Sequence, residues 1–430
     1  MTTLVCGHDA PPYGRPLCAH LRVADQAGYT IRYTGVGMEA RNVCDACKDA
    51  SSVEAEPVCE ECFDAAVDDA RGIAGSPEII ERPVPLGAVV DERPLPAGLG
   101  TVVDLAVTAR GWLLLCEDGR LVLWDPHEDH HTEVARCHIA PEKGSEPWLG
   151  RQQVRRLHAS PDGRFAAVVI DYGRRGQILD LTTGSVTEDL DNDGYHSDTV
   201  PFSLAFTVHE GRTLALHRPV WNRIAACEAE TGRLVTGIPV DERADWTGLF
   251  HGTVLPSPDG TRIASDGWFW HPLGSVAVWN LAAWLAEGEA AWPESAGWTS
   301  VAHADYYWDR PMVWLDDDRL VVGGIGEAEE LMVDGATVYA FTGEDGAEPV
   351  TEAVFAGPKT GPKERFHVLG GLLFSSGESG MEVWDPADGA RLGTVPGLRP
   401  THLDRSAGEL LQLDTGAGVV RAWSATQVGP

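Results

Sequence analysis

Positive charge is scarce in this 430-residue chain: 33 lysines and arginines stand against 65 aspartates and glutamates, a formal net charge of −32. A surface that negative repels phosphate backbones and anionic lipid, so general nucleic-acid binding and attachment to a membrane surface are not expected. The charge serves solubility, or a dedicated basic partner. Apolar runs are also short, and none approaches the roughly 20 residues that a membrane-spanning helix needs. The opening MTTLVCGHDAPPYG has no basic n-region and no apolar h-region, so no secretory leader is expected and the expected compartment is the cytoplasm. Missing too are a G-x-S-x-G elbow, an H-E-x-x-H helix and a G-x-x-x-x-G-K-[ST] phosphate loop. Without them the sequence offers no defined catalytic set, and the chain is not expected to be an enzyme.

What is present begins with the cysteines. Cys6, Cys18, Cys44, Cys47, Cys59 and Cys62 crowd the start of the chain, whereas Cys116, Cys137 and Cys227 are scattered through strand-like segments. The scattered three read as small buried hydrophobes. In a reducing compartment, clustered thiols favour a metal over disulfides. Four short pairs stand out: Cys6-Gly-His8, Cys18-Ala-His20, Cys44-Asp-Ala-Cys47 and Cys59-Glu-Glu-Cys62. A C-x-x-C turn lets two thiolates reach one ion, and a C-x-H pair does the same from an extended segment. Structural zinc takes four ligands, so these eight predict two ions with no open coordination position, structural rather than catalytic. Consecutive and interleaved pairings both fit the spacing. The run FDAAVDDARGIAG after Cys62 reads as a short helix ending at glycine. These ligand pairs resemble the zinc-ribbon and cross-brace class of modules over about the first 70 residues. Fingers that grip DNA present basic residues to phosphate, whereas Glu54, Glu56, Glu60, Glu61 and Asp64 surround the second C-x-x-C pair. The module is expected to hold protein or simply to fold.

From about residue 100 the chain repeats a short apolar strand followed by a polar turn. The strand–turn unit appears as VLWDP (Val122–Pro126), ILDLTTG (Ile178–Gly184), AACEAETG (Ala225–Gly232), VWNL (Val278–Leu281), VYAFTGEDG (Val338–Gly346), VWDPADG (Val383–Gly389) and AWSA (Ala422–Ala425). Successive units lie about 40 to 60 residues apart, the period of a four-stranded propeller blade with loops of varied length. Pro161-Asp162-Gly163 and Pro258-Asp259-Gly260 each sit between β-rich runs, where proline fixes φ and glycine supplies a positive φ for a hairpin. The pattern resembles the WD-repeat family of β-propellers, most closely at VLWDP and VWDPADG; the family's Gly-His dipeptide is absent from the repeats and only these two units carry Trp-Asp. The expected fold is therefore mainly β: a small zinc-binding module over residues 1–75 and a seven-bladed WD40-like propeller over residues 78–430. The last unit stops at its third strand, so residues 78–95, with IIERPV and AVVDERP, are expected to supply the strand that closes the ring.

In such a ring, the loops joining second to third strands and fourth strands to the next blade emerge on one face. That places Arg174, Trp221, Trp268, Trp270, His271, His303, Tyr306, Tyr307 and Trp308 together as candidate partner-binding residues. The same rings also suit a satellite core packed between long loops. Asp189, Asp191 and Asp193 fit D-x-D-x-D-G, which suits either a calcium loop or a solvated acidic turn; the EF-hand's bidentate Glu has no counterpart, because Val200 occupies its position. The leading functional expectation is a cytosolic interaction scaffold, monomeric on its own, that holds protein partners. Two alternatives are a propeller hydrolase or lyase using His271, His303, Asp305 and Asp309, and a sensor whose module unfolds on zinc loss or oxidation.

Overall fold

The structure, a computed structural model, describes residues 15–22, 30–34, 39–44, 46–47, 55–58, 62–63, 66, 78–86, 90–128, 130–140, 142, 151–192, 194–236, 248–270, 272–286, 288, 297–329, 332–343 and 345–424. The chain divides into two units, residues 1–78 and 79–430. In the first, strands Arg15–Cys18, Thr30–Thr34, Glu39–Val43 and Ala55–Val58 form one small sheet, and the helix Ala19–Arg22 follows its first strand. Most of the helix expected after Cys62 lies outside the described residues.

The second unit is a seven-bladed β-propeller. Its seven antiparallel sheets follow one another along the chain. Their first strands are Val102–Thr108, Val154–Ala159, Leu204–His209, Leu249–Pro256, Met312–Trp314, His367–Leu369 and His402–Asp404. First strands of blades 1 to 4 pack on one another in turn, those of blades 5 and 6 do the same, and that of blade 7 meets that of blade 1, so they line the axis of a closed ring. Each strand–turn unit of the sequence contributes a third strand, as Arg120–Asp125 does in blade 1 and Gly380–Asp385 in blade 6; in blade 4 that strand runs into the helix Leu281–Ala286 instead of a turn. Blade 3 has three strands among the described residues, with a single bridge from Cys227 to Leu234 at its outer edge.

Two local interactions explain the repeat. The first is the turn: Asp125 and Asp385, the aspartates of the two Trp-Asp pairs, accept backbone N–H bonds from His127 (2.9 Å) and Ala387 (3.0 Å). Asp180 does the same for Thr182 at 2.7 Å. Each carboxylate satisfies donors that a tight turn would otherwise strand. The second is burial of both sheet faces. In Phe165–Asp171, Phe165, Ala167 and Val169 pack toward blade 3 while Ala166, Val168 and Ile170 pack toward blade 1. A strand alternates its side chains with period two, so a run apolar at every position signals burial on both sides. Seven such inter-blade cores circle the ring. Cys116, Cys137 and Cys227 lie buried within them, and burial pushes the Cys227 thiol up to about 12.

Of the two segments ahead of blade 1, only one closes the ring on blade 7; the other extends blade 6, not the last blade as expected. Asp91–Pro94 pairs antiparallel with Val419–Ser424 and becomes the outer strand of blade 7. Residues 80–84 run parallel to the outer strand of blade 6, with Arg391 N–H donating to the Ile80 carbonyl (2.7 Å) and Val84 N–H to the Leu392 carbonyl (2.8 Å). Arg93 fixes the closing strand by a two-pronged bond to Glu409, at 2.8 and 2.7 Å, and lies over the Trp112 ring of blade 1 at 5.3 Å. No helix among the described residues is long and apolar enough to cross a membrane.

Bidentate guanidinium–carboxylate bonds with little exposure rank among the stronger polar contacts, so Arg93→Ala is expected to lower the unfolding free energy by about 2 kcal/mol in a urea titration. Glu409→Ala should add little to it. Fully additive losses would show that the two side chains do not act as one clasp.

Candidate functional site

The loop face of blades 2 to 5 gathers a cluster of rings. Phe250 stacks on Trp268 with centroids 4.1 Å apart and planes 5° from parallel. Trp308 stacks on the other part of Trp268 at 5.4 Å, and Trp221 leans on Phe250 at 4.4 Å. Val200 fills the base. Thr199 tethers the layer: its hydroxyl accepts from Trp268 Nε1 at 3.2 Å, and its carbonyl accepts from Trp308 Nε1 at 2.9 Å and Arg151 Nη1 at 3.0 Å. The Arg151 guanidinium lies 4.9 Å from the Trp308 ring centre. Trp268 and Trp308 are therefore packed, whereas Trp270 and Tyr306 are each 55% exposed. Tyr195 is exposed as well and reaches Trp221 at 5.6 Å, and His196 reaches Trp270 at 5.6 Å.

The backbone beneath this cluster is held in an unusual conformation. Tyr172, His196, Tyr306 and Asp309 adopt φ values of 58°, 51°, 56° and 60°. Non-glycine residues in this left-handed region cost about 1 kcal/mol each and persist where their surroundings hold them. For Tyr172 and Asp309 the holding contacts are polar and buried. The Tyr172 hydroxyl donates to the Asp309 carboxyl, and Arg151 Nε lies 3.8 Å from Asp309 Oδ2. Arg310 N–H donates to Asp266 Oδ2 at 3.0 Å. Burial pushes the Asp309 carboxyl up to about 8, and burial raises Asp266 as well.

The other residues singled out in the sequence fall in different places. Arg174 is exposed and donates to Asp191 at 2.5 Å, and Arg175 lies 3.1 Å from the same carboxylate. Asp189 accepts from Gln177 at 2.7 Å. Asp193 and His271 lie outside the described residues. Tyr307 is half-buried beneath the Arg310 guanidinium, 5.7 Å away. His303 is exposed on Thr299–Asp305, the outer strand of blade 4, while Asp309 lines a cavity at the ring axis. Tyr195, His196, Phe250 and Arg151 were not singled out by the sequence reading. The Tyr-His pair adjoins the acidic 189–194 run, whose carboxylates draw the eye first.

In the N-terminal unit, Cys18, His20, Cys44 and Cys47 present four ligand atoms all within 4.8 Å of one another. His20 Nδ1 faces Cys47 Sγ at 3.1 Å and Cys44 Sγ at 3.7 Å, and Cys44 N–H donates to Cys18 Sγ at 3.4 Å. The turn that folds Cys47 back is closed by its N–H on the Cys44 carbonyl at 2.9 Å. Burial and the neighbouring thiols push the Cys47 thiol up to about 11. A tetrahedral zinc site has ligand–ligand edges of about 3.3 to 3.8 Å given its bond lengths, so this set fits one with small shifts. The structure thus brings the second C-x-H pair to the first C-x-x-C pair. Cys6, His8 and Cys59 lie outside the described residues; Cys62 is described and is not part of this group.

No family model matches the chain, and no curated protein matches it. Solved structures do share its architecture. The β-propeller domain of Cps50 (Swd1) from Myceliophteria thermophila is 10% identical, with 78% of this chain and 100% of that chain covered at a TM-score of 0.51. A chain of the Mitotic Checkpoint Complex is 12% identical over 82% of this chain and 96% of its own, TM-score 0.49. U3-55K is 12% identical over 79% and 99%, TM-score 0.47. At these identities the likeness is one of fold, that of a WD40-like propeller.

The raised Asp309 carboxyl predicts a pH effect of definite sign. An acid whose folded pKa lies above its unfolded value of about 3.9 binds more protons when folded, so its contribution is full in acid and fades as pH rises toward 8. Asp309→Asn mimics the protonated form. Between pH 6 and pH 9 the melting temperature of the variant is expected to gain on that of the unaltered chain, and a difference that stays constant with pH would refute the assignment.

Proposed function

We propose that this protein is a cytoplasmic interaction scaffold. In this reading, residues 78–430 form the rigid frame and residues 1–75 form a separately folding module stiffened by zinc. The observation that carries the reading is the division of the aromatic cluster. Trp268, Trp308 and Phe250 are spent on packing, while Trp270 and Tyr306 stand 55% exposed on the same loop face. His196 links the exposed Tyr195 to the exposed Trp270, and contiguous apolar exposure of this kind marks binding surfaces. Rigid rings on a fixed base lose little entropy on binding, which is why Trp and Tyr dominate interface energetics. The propeller fold by itself fixes no function, so the argument rests on this face.

Zinc suits the Cys18, His20, Cys44 and Cys47 set, because three thiolates and one imidazole fill a structural site with no position left for substrate. When bound, the metal would supply folding energy to a small sheet that has little core of its own. The remaining Cys6, His8, Cys59 and Cys62 make a second set of four on the same ligand arithmetic.

Two measurements test these assignments. Affinity capture from a lysate of the source cells, with Trp270→Ala, Tyr306→Ala as the comparison, is expected to lose its specific partner at least tenfold while the melting temperature moves by no more than about 2 °C. Undiminished capture would remove the aromatic face from the reading. Elemental analysis is expected to find two zinc ions per chain, and Cys44→Ser to lose one of them; a variant that keeps its full zinc content would exclude the assigned ligand set.

A further inference from the structure

The exposed rings of the loop face have a flank that aromatic packing does not explain. Tyr306 follows Thr299–Asp305, the outer strand of blade 4, and backbone bonds fix what stands beside it. On one side its N–H donates to the Pro272 carbonyl at 2.8 Å, in the turn that carries Trp270. On the other side Asp305 N–H donates to the Glu327 carbonyl at 2.7 Å, and Asp305 forms a parallel bridge with Ala328. The loop of blade 5 between Arg319–Ile325 and Val333–Ala340 is thereby drawn against the end of that outer strand. It brings Glu327 and the exposed Glu329 to the edge of the ring patch.

The accessible charge around the rings is of one sign. Among the described residues of the loops flanking Trp270 and Tyr306, the half-buried and exposed carboxylates are Asp198, Asp305, Glu327 and Glu329. The arginine of the same stretch, Arg310, is withdrawn: its side chain is 2% exposed, beside Asp266 and over the Tyr307 ring. Further round the face, Arg174 and Arg175 are matched by Asp191, and Lys359 by Asp334. Charges beyond about 8 Å are screened at physiological salt, so these nearby carboxylates matter more to a docked group than the total of −32 does.

Two kinds of chemistry thus meet in one place. Exposed indole and phenol faces attract a cation through the ring quadrupole, and a guanidinium, planar and weakly hydrated, stacks on them better than an ammonium does. Carboxylates at the rim accept its N–H groups. An acidic partner would be repelled there, and a neutral apolar one would strip water from the rim carboxylates without replacing it.

We infer that the occupant of this face is an arginine-bearing segment of a partner protein, its guanidinium planes over Trp270 and Tyr306 and its remaining donors on the rim that carries Glu327 and Glu329. The inference rests on the scaffold reading and adds the partner's chemistry to it.

The test uses the full chain and a fluorescein-labelled peptide of three Gly-Arg-Leu repeats, beside the same peptide with citrulline for each arginine, read by fluorescence anisotropy. The arginine peptide is expected to bind saturably, at least tenfold tighter than its citrulline form. Trp270→Ala, Tyr306→Ala is expected to weaken it at least tenfold, and Glu327→Gln, Glu329→Gln at least threefold, with circular dichroism unchanged. Glu128→Gln, Glu348→Gln removes the same charge from exposed turns between third and fourth strands and is expected to change the affinity less than twofold. No saturable binding, equal affinity for arginine and citrulline, affinity that survives loss of both rings, or equal losses in the two glutamate variants would overturn the inference. If the ring variant does not fold, the citrulline comparison and the two glutamate variants decide it. Lysate capture that is lost with the two rings, while arginine and citrulline peptides bind alike, sinks this inference and leaves the scaffold reading standing; undiminished capture sinks both.

Discussion

Everything in the second unit depends on a sheet that cannot bury itself. A four-stranded blade with apolar residues on both faces is insoluble in isolation, and each of the seven needs two neighbours. In an open row the first and last blades would each lack one. The chain removes the problem by making blade 7 from both ends of the unit, with Asp91–Pro94 beside Val419–Ser424. Leu411, Val420 and Ala422 of that blade then share a core with Leu105, Trp112 and Trp124 of blade 1. Arg93 ties the same joint electrostatically, and the parallel run at residues 80–84 adds a second hold on blade 6. Arg82 reinforces that hold by pairing with Asp385 and Asp388 on the turn after the third strand.

A rigid ring makes strained loops tolerable. Four non-glycine residues with positive φ sit on the face that also carries the aromatic cluster, and a buried polar contact between Tyr172 and Asp309 anchors two of them. Thr199 is the shared point, accepting from Trp268, Trp308 and Arg151. The displayed rings therefore stand on a base that does not have to reorganise when something docks.

Much of this was legible in the sequence because the information was local. Apolar alternation followed by an Asp- or Gly-bearing turn marks each third strand, and period-two patterning needs no distant partner to be read. Which of the two strand-like stretches ahead of blade 1 closes the ring was not legible: DERP lies on blade 7, whereas IIERPV lies along blade 6 rather than on the last blade. What depends on distant neighbours was not legible. Trp268 and Trp270 lie two residues apart, yet one is covered by Phe250 and Trp308 and the other is not. Spacing alone left the pairing of Cys18 and His20 with Cys44 and Cys47 open, because it does not say which turns fold back on each other.

The closing joint also orders events in time. Glu92 and Arg421 bond across 329 positions of chain. During synthesis the segment 91–94 leaves the ribosome before any blade and stays without its partner strand until the final blade emerges. For that whole interval the nascent protein carries an unpaired sheet edge, the kind of surface that invites chain-to-chain association. Pairings this remote in sequence form slowly. The architecture that leaves the finished molecule without an open end thus makes its birth the period of greatest exposure, when a chaperone would be of most use.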